Sequence, residues 1–131
     1  MIKECISIHT QKRTQMIDIT HYVREFIVKY NISEAKLHIQ IPHTTAGVTI
    51  NENCDPDVQY DLCQGIDKLI PKSVNIKHNE GNSDAHLKSS LIGVNLEIFV
   101  FEKNPLLGTW QGVYFWEFDG PRTRKFFIIS E

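Results

Sequence analysis

Three histidines of the chain lie in polar segments where their side chains could do chemistry. His43 precedes the run Thr-Thr-Ala-Gly, and His78 and His86 lie at the two ends of the segment His-Asn-Glu-Gly-Asn-Ser-Asp-Ala-His. The glycine inside that segment allows the chain to turn, so that both imidazoles can converge. Two or three histidines with open coordination positions are typical of a catalytic metal site for Zn²⁺, Fe or Ni. The three histidines therefore predict a shared metal site, although each one taken singly fits an ordinary polar residue.

Acidic residues accompany these histidines. Glu80 and Asp84 lie between His78 and His86, where they could bind the metal or accept hydrogen bonds from the ligating rings. Glu52 ends a predicted strand that begins shortly after His43, and we expect it to point at the same site. Together with His43, these three carboxylates are the candidate catalytic residues.

Two further segments could hold an anion. The Gly-Asn-Ser run at residues 81–83 precedes a short predicted helix, and its free backbone N–H groups would suit a phosphate. Arg122, Arg124 and Lys125 form a basic cluster. On charge alone, solvated charges on an edge strand explain this cluster somewhat better than a phosphate clamp does.

The segment from Gly108 to Gly112 is an unusual strand, because glycine weakens a strand interior. Two glycines so close together indicate a bulge or another group pressed against the backbone. Trp110 and Gln111, between them, could line a pocket or a subunit contact, while a tryptophan packed in the core is an equal alternative. The candidate substrate-binding residues of all these segments are Thr44, Thr45, Asn82, Ser83, Trp110, Gln111 and Arg122.

Several enzyme classes are excluded by the motifs that the sequence lacks. The seven glycines form neither a Gly-x-Gly-x-x-Gly dinucleotide loop nor a Gly-x-x-x-x-Gly-Lys phosphate loop. The zinc-protease motif His-Glu-x-x-His and the hydrolase motif Gly-x-Ser-x-Gly are also missing. Any catalytic site must therefore be built from the dispersed loop residues named above.

Length and composition bound the rest. A chain of 131 residues with 41% hydrophobic and 23% charged residues is typical of one globular domain, residues 1–131. A net charge of −2 argues against nucleic acid as a partner. The longest apolar stretch, residues 91–101, is too short to cross a membrane. Three cysteines without paired spacing, and a first segment without an apolar signal core, predict a cytoplasmic protein.

The periodicity of the apolar residues predicts the elements that position these candidates. Residues 5–9 and 16–19 are expected to form a β-hairpin, followed by a helix that Thr20 caps and strands at 35–41 and 45–50. Asp55 and Pro56 predict the start of a second helix, which Pro71 ends. A short helix capped by Ser83 should bury the leucines at positions 87 and 91. Strands follow at 96–101, 110–118 and 124–129.

The predicted element order is ββαββα(α)βββ. It indicates an α+β fold: a single compact domain with a mixed or antiparallel sheet packed against two main helices and one short helix.

Five sequence blocks occur in order and carry a resemblance to a known family. They are His-Thr-Thr-Ala-Gly from His43, Asn-Glu-Asn from Asn51 with Asp-Pro-Asp from Asp55, the segment from His78 to His86, Gly-Thr-Trp-Gln-Gly from Gly108, and Glu-Phe-Asp-Gly-Pro-Arg from Glu117. Together they closely resemble the secondary thiamine-phosphate synthase family, the YjbQ-like proteins, over nearly the whole chain.

The resemblance implies a small α+β protein that forms a homotrimer, with a metal-binding pocket near a subunit boundary. The implied activity joins a hydroxymethylpyrimidine diphosphate to a thiazole phosphate and releases pyrophosphate. The resemblance implies that histidines and acidic residues of these blocks bind a divalent metal such as Zn²⁺, Mg²⁺ or Mn²⁺, and residue type and clustering make His43, His78 and His86 the expected ligands. Glu52, Glu80 and Asp84 are secondary candidates for the same role.

Two other functions remain open at the level of sequence. The same metal site could hydrolyse a small phosphorylated metabolite, or the chain could bind a metal or phosphometabolite without turning it over. In each case the expected partner is a small phosphorylated compound, with no nucleic acid and no membrane.

Overall fold

Eleven elements are described by the computed structural model, which covers residues 1–72, 77 and 81–131. In chain order they are β1 (Ile2–His9), β2 (Gln15–Asp18), α1 (Thr20–Lys29), β3 (Ala35–Gln40), β4 (Ala46–Glu52), α2 (Pro56–Leu69), α3 (Ser83–Ile92), β5 (Asn95–Phe101), β6 (Asn104–Pro105), β7 (Gln111–Glu117) and β8 (Thr123–Ser130). The α+β fold with three helices is confirmed. None of the helices described is long and apolar enough to span a membrane.

The strands form two antiparallel sheets. One has the order β1-β8-β3-β5-β6 and the other has the order β2-β7-β4. The predicted hairpin of the first two strands is wrong, because β1 pairs with β8 in the larger sheet and β2 pairs with β7 in the smaller one. The last two strands, β7 and β8, are likewise in different sheets. The connection between them contains Gly120, whose N–H donates to the carbonyl of Arg13 at 3.1 Å.

The main core lies between the two sheets. Strand side chains alternate between faces, so Phe126 and Ile128 of β8 point inward and meet Val113 and Phe115 of β7. Helix α1 contributes Phe26 and its apolar neighbours to the same core. The other face of β7 packs against α2 and α3 through a second, smaller cluster of Ile66, Ala85, Trp116 and Phe118.

The helix starts show which local signals were decisive. Helix α2 begins as predicted, with the Asp55 carboxylate accepting a hydrogen bond from the N–H of Asp57 at 2.9 Å. Thr20 is not the cap of α1, because Ile19 holds that position and the hydroxyl of Thr20 accepts a bond from the N–H of Val113. Ser83 is likewise the first residue of α3, and Asn82 precedes it without a side-chain capping bond.

The orientation of α3 differs from the prediction. Leu87 and Leu91 were expected to face inward, but their side chains are 43% and 64% exposed. The face of α3 that packs against the protein instead carries Asp84, Lys88 and Ser89, all buried. The reason is that each of these polar groups has a partner: the hydroxyl of Ser89, for example, donates to the carbonyl of Ala46 in β4 at 2.7 Å.

Ion pairs fix this polar face of α3. Arg13 donates to both oxygens of Asp84 at 2.9 and 3.0 Å, and Lys88 donates to Asp84 at 2.9 Å and to Asp67 of α2 at 2.8 Å. Burial raises the pKa of Asp84, but the hydrogen bonds from Arg13 and Lys88 outweigh it and lower the pKa to about 2. The carboxylate therefore ties α3 to the loop between β1 and β2 and, through Lys88, to α2.

We predict that Asp84→Asn lowers the free energy of unfolding at neutral pH by roughly 3 kcal/mol, because it leaves Arg13 and buried Lys88 without their shared counter-charge. The folded-state pKa of about 2 lies below the ordinary value of 3.8, so this stabilisation is complete above about pH 4 and is lost as the pH falls through 2. Urea unfolding at neutral pH, at about pH 4 and at about pH 2 measures the effect.

Asp61→Asn is the matched control, because Asp61 lies on α2 with an exposed side chain. It should change stability by less than about 0.5 kcal/mol. Equal losses in the two variants, or a gap between wild type and Asp84→Asn that persists undiminished at about pH 2, would contradict the assigned role of the Asp84 ion pairs.

Candidate functional site

A cavity of about 440 Å³ opens where β4 begins, β7 ends and α3 starts. Six of the predicted site residues line it, together with three residues that were not predicted as site residues. The described lining consists of Pro42, His43, Thr44, Thr45, Asn82, His86, Asp119, Arg122 and Arg124. The structure thus brings His43, His86 and Arg122 together from three distant parts of the sequence.

Arg124 forms the buried wall of this cavity. Its guanidinium donates to both oxygens of Glu117, through Nε at 2.8 Å and through Nη2 at 2.5 Å, and Nη2 also donates to the hydroxyl of Thr45 at 2.7 Å. Arg124 is only 4% exposed and Glu117 is fully buried. No residue in the described part of the chain accepts a hydrogen bond from Nη1, which leaves this end of the guanidinium for a ligand in the cavity.

Glu117 is held as a carboxylate. Burial raises the pKa of Glu117, but the bonds from Arg124, from the backbone N–H of Asp119 and from the hydroxyl of Thr10 together lower it. A buried carboxylate with this many donors stays charged. It therefore fixes both the position and the charge of Arg124.

His43 lies beside this arginine. Burial lowers the pKa of His43, and the positive charge of Arg124 lowers it further, so the ring is neutral at physiological pH. Its Nε2 lies 3.0 Å from the backbone N and 3.1 Å from the carbonyl oxygen of Lys125. These backbone contacts orient the ring and leave Nδ1 as the nitrogen that can meet a ligand.

Helix α3 brings Asn82 and His86 to the opposite wall. Asn82 donates to Asp119 at 2.8 Å, and Asp119 also accepts from Arg122 at 3.1 Å. The carbonyl oxygen of the Asn82 side chain is buried and has no hydrogen-bond partner within the described ranges. A buried acceptor without a partner is costly, so this atom is a candidate acceptor for a hydrogen bond from a ligand.

Two predicted residues, Glu52 and Gln111, lie far from this cavity. Glu52 pairs with Gln111 at the end of the β4–β7 ladder opposite the Ala46–Glu117 pair that borders the cavity. Glu52 lies six positions along β4 from Ala46, which corresponds to about 20 Å of strand. The expectation that Glu52 points at the site of His43 is therefore wrong within one chain.

The aromatic segment behaves partly as predicted. Trp110 is 60% exposed, so the alternative of a tryptophan packed in the core is wrong. A Cβ on Gly112 would lie 2.7 Å from the side-chain nitrogen of Asn53, which confirms that another group is pressed against the glycine backbone.

The remaining predicted residues have other placements. Asp84 is not in the cavity lining, and both of its oxygens are occupied by Arg13 and Lys88, so it is unsuited to bind a metal. Ser83 is half-buried and also lies outside that lining. His78 and Glu80 lie outside the described residues.

The donor chemistry fits a divalent cation in part. Across residues 1–72, 77 and 81–131, no three His, Cys, Asp or Glu side chains are gathered closely enough to hold a metal ion. His43 and His86 nevertheless line one cavity, and a metal requires a neutral imidazole, which is the state that burial gives His43. His78, the third predicted ligand, lies outside the described residues.

Sequence analysis did not place Glu117 in the site, and it favoured a solvated edge-strand charge over a phosphate clamp for Arg124. The alternation of Arg124, Phe126 and Ile128 places the arginine on the apolar face of its strand, and Glu117 follows Phe115 in the same way. The interpretation of Arg124 as a solvated charge on an edge strand is wrong, because β8 lies between β1 and β3. Period-2 patterning was therefore a usable signal for the buried pair.

Known proteins that resemble the chain share both its sequence and its fold. Residues 4–130 match the family described as UPF0047 protein YjbQ-like. The chain is 50% identical to UPF0047 protein MJ1081 of Methanocaldococcus jannaschii, over 92% of this chain and 88% of that protein. It is 48% identical to UPF0047 protein YugU of Bacillus subtilis, with 94% of each chain covered.

Two solved structures have nearly the same fold. A conserved protein of the YjbQ/UPF0047 family from Clostridium acetobutylicum superposes with a TM-score of 0.95 at 46% identity, covering 98% of this chain and 99% of that one. The hypothetical protein APE1520 from Aeropyrum pernix gives a TM-score of 0.95 at 33% identity, covering 100% of this chain and 98% of that one.

We predict that Arg124→Gln raises the pKa of His43, because the substitution removes a nearby positive charge and leaves the negative charge of Glu117 uncompensated. The ring signals of His43, followed by NMR across a pH series in metal-free protein, measure this pKa. Arg124→Lys keeps the charge and is the matched control, for which no comparable rise is expected. A His43 pKa that is unchanged in Arg124→Gln would contradict the electrostatic coupling of the two residues.

Proposed function

The chain belongs to the UPF0047 (YjbQ-like) family, and on this premise we propose that it is a transferase of the secondary thiamine-phosphate synthase type. It would join a hydroxymethylpyrimidine diphosphate to a thiazole phosphate and release pyrophosphate. The observation that supports this proposal best is Arg124, a buried guanidinium with one free end in a cavity that His43 and His86 also line.

Arg124 suits a phosphorylated substrate for two reasons. Its guanidinium cannot lose its proton at physiological pH, and its planar donors match the oxygens of phosphate. Because Glu117 and Thr45 hold it in place, little reorganisation is needed when negative charge develops nearby. Arg122 at the rim adds a second guanidinium, held by Asp119.

The proposed reaction needs charge stabilisation more than proton transfer. The bond between the pyrimidine methylene carbon and the diphosphate oxygen breaks, and the oxygen leaves with the electron pair. The resulting resonance-stabilised cation is attacked by the ring nitrogen of the thiazole. Arg124 and Arg122 would bind the departing diphosphate, and the cavity walls would hold the two reactants in contact.

The described lining fits this chemistry. Its only carboxylate, Asp119, already accepts hydrogen bonds from Asn82 and Arg122, so it is not poised as a general base. The size of about 440 Å³ lies within the range of small-molecule sites.

His43, His86 and, from the sequence, His78 are the residues that would hold a divalent cation such as Zn²⁺, Mg²⁺ or Mn²⁺. A cation there supplies further positive charge to the departing diphosphate. The described residues present two imidazoles and the guanidinium of Arg124 to one cavity.

We also propose a cytoplasmic homotrimer. Phe99, Phe101 and Leu106 of the β5–β6 region are about half exposed or more, and such a cluster of apolar side chains suits a contact between subunits. The free cysteines fit a reducing compartment.

We predict about one divalent metal ion per chain in protein purified without a histidine tag. His86→Ala and His78→Ala should each lose most of it, because each removes one imidazole ligand. Native mass spectrometry reports the metal content and the number of chains together. His21→Ala, which removes an exposed histidine of α1, is the control and should keep the metal. Full metal content in His86→Ala would overturn the proposed ligand role, and a mass other than three chains would overturn the trimer.

We predict that Arg124→Lys lowers the rate of pyrophosphate release by roughly a hundredfold, because the ammonium group cannot reproduce the paired donors of the guanidinium. Arg122→Gln, at the rim, should lower it by about tenfold without touching the buried pair. Arg24→Gln, at an exposed position on α1, is the control.

Omitting the thiazole phosphate separates this reaction from hydrolysis. Under the proposed function pyrophosphate release requires both substrates. Release from the pyrimidine diphosphate alone, at the full rate, would favour the hydrolase. Tight binding without any release would favour a binding protein.

A further inference from the structure

A second cavity, of about 400 Å³, adjoins the first at the histidines. The two cavities share His43, Thr44 and His86 as lining residues. The second cavity is completed by the C-terminal half of α3 and the turn after it, through Ser89, Ser90, Gly93 and Val94. The two cavities therefore adjoin at the histidine pair.

The two cavities differ in charge. The first contains two guanidinium groups and one carboxylate, whereas the described lining of the second has no Arg, Lys, Asp or Glu. Its serine hydroxyls already donate to backbone carbonyls, Ser89 to Ala46 at 2.7 Å and Ser90 to His86 at 2.9 Å. Besides the shared residues, the rest of the described lining is Gly93 and Val94.

We propose that this second cavity binds the uncharged organic group of the substrate whose phosphate is held at Arg124. This inference deepens the proposed function, since it takes the substrate to be phosphorylated. The shared lining carries it: because the two cavities meet at His43 and His86, a ligand with its phosphate on Arg124 would place a small ring or alkyl group near Val94. Such a group gains from burial there and leaves no charge unpaired.

Close packing keeps this cavity in shape. A Cβ on Gly47 of β4 would lie 2.8 Å from the carbonyl oxygen of Gly93, so the strand and the end of α3 are in direct backbone contact. Gly93 itself has a φ of +97°, which favours glycine. The backbone at Gly93 is thus held in place where it lines the second cavity.

The test compares inorganic phosphate with phenyl phosphate by isothermal titration calorimetry on the purified protein. Wild type should bind phenyl phosphate about tenfold or more tightly than phosphate, because only the former has a group for the second cavity. Ser90→Phe, which fills that cavity from α3, should reduce this preference to less than about threefold and leave phosphate binding within about twofold of wild type. Val94→Phe should do the same from the other wall.

Ser7→Phe is the matched control, because Ser7 is exposed on β1 outside both cavities, and it should keep the full preference. Circular dichroism and the thermal midpoint establish that each variant is folded. The proposal is overturned if wild type binds both ligands equally, or if folded Ser90→Phe and Val94→Phe both keep the preference or weaken phosphate binding to the same extent.

Phenyl phosphate has no diphosphate leaving group, so the binding result does not depend on turnover. A protein that prefers phenyl phosphate but releases no pyrophosphate from the synthase substrates overturns the proposed function and supports the second cavity. A protein that releases pyrophosphate from those substrates but binds phosphate and phenyl phosphate equally supports the proposed function and overturns the second cavity as a binding site.

Discussion

The ion pair of Arg124 and Glu117 is the constraint on which the candidate site depends. The two residues lie on the inward faces of β8 and β7, next to Phe126 and Phe115. A buried ion pair therefore occupies the edge of the core between the sheets, where an apolar pair would otherwise pack. Neither charge could remain there alone, because an unpaired buried ion is strongly destabilising. The same pair joins the two sheets and presents one end of a guanidinium to the cavity.

A second set of buried charges fixes the position of α3. This helix packs with a polar face, and it is held by the bridge from Arg13 to Asp84 and from Lys88 to Asp67. Its position decides where Asn82 and His86 lie, since both belong to its first turns. Each of the two walls of the cavity is thus fixed by an ion pair that a ligand does not need to disturb. Such preorganised walls favour the binding of a phosphate, because little has to rearrange when it binds.

Charge is distributed unevenly around the histidines. On one side Arg124 and Arg122 create a positive cavity, and on the other Val94 and the Gly93 backbone form a wall without charge. His43 stands between them, neutral because of burial and the neighbouring guanidinium. A site with this polarity suits a ligand that is itself charged at one end only, as a phosphate ester of a small organic group is.

The sequence by itself determined those features of the fold that depend only on residues close together in the chain. Asp55 and Pro56 start α2 because a cap and a fixed φ act within one turn, and the alternation of Leu37 and Ile39 marks β3 because side chains on a strand alternate. It also singled out His43 and His86. Only the tertiary structure decided that β1 and β2 lie in different sheets, that α3 buries Asp84 and not Leu87, and that Glu52 lies at the end of the β4–β7 ladder away from the cavity, about 20 Å along the strand from Ala46. Those outcomes depend on partners far away in sequence, because a buried charge or a strand edge is stable only where its complement is found.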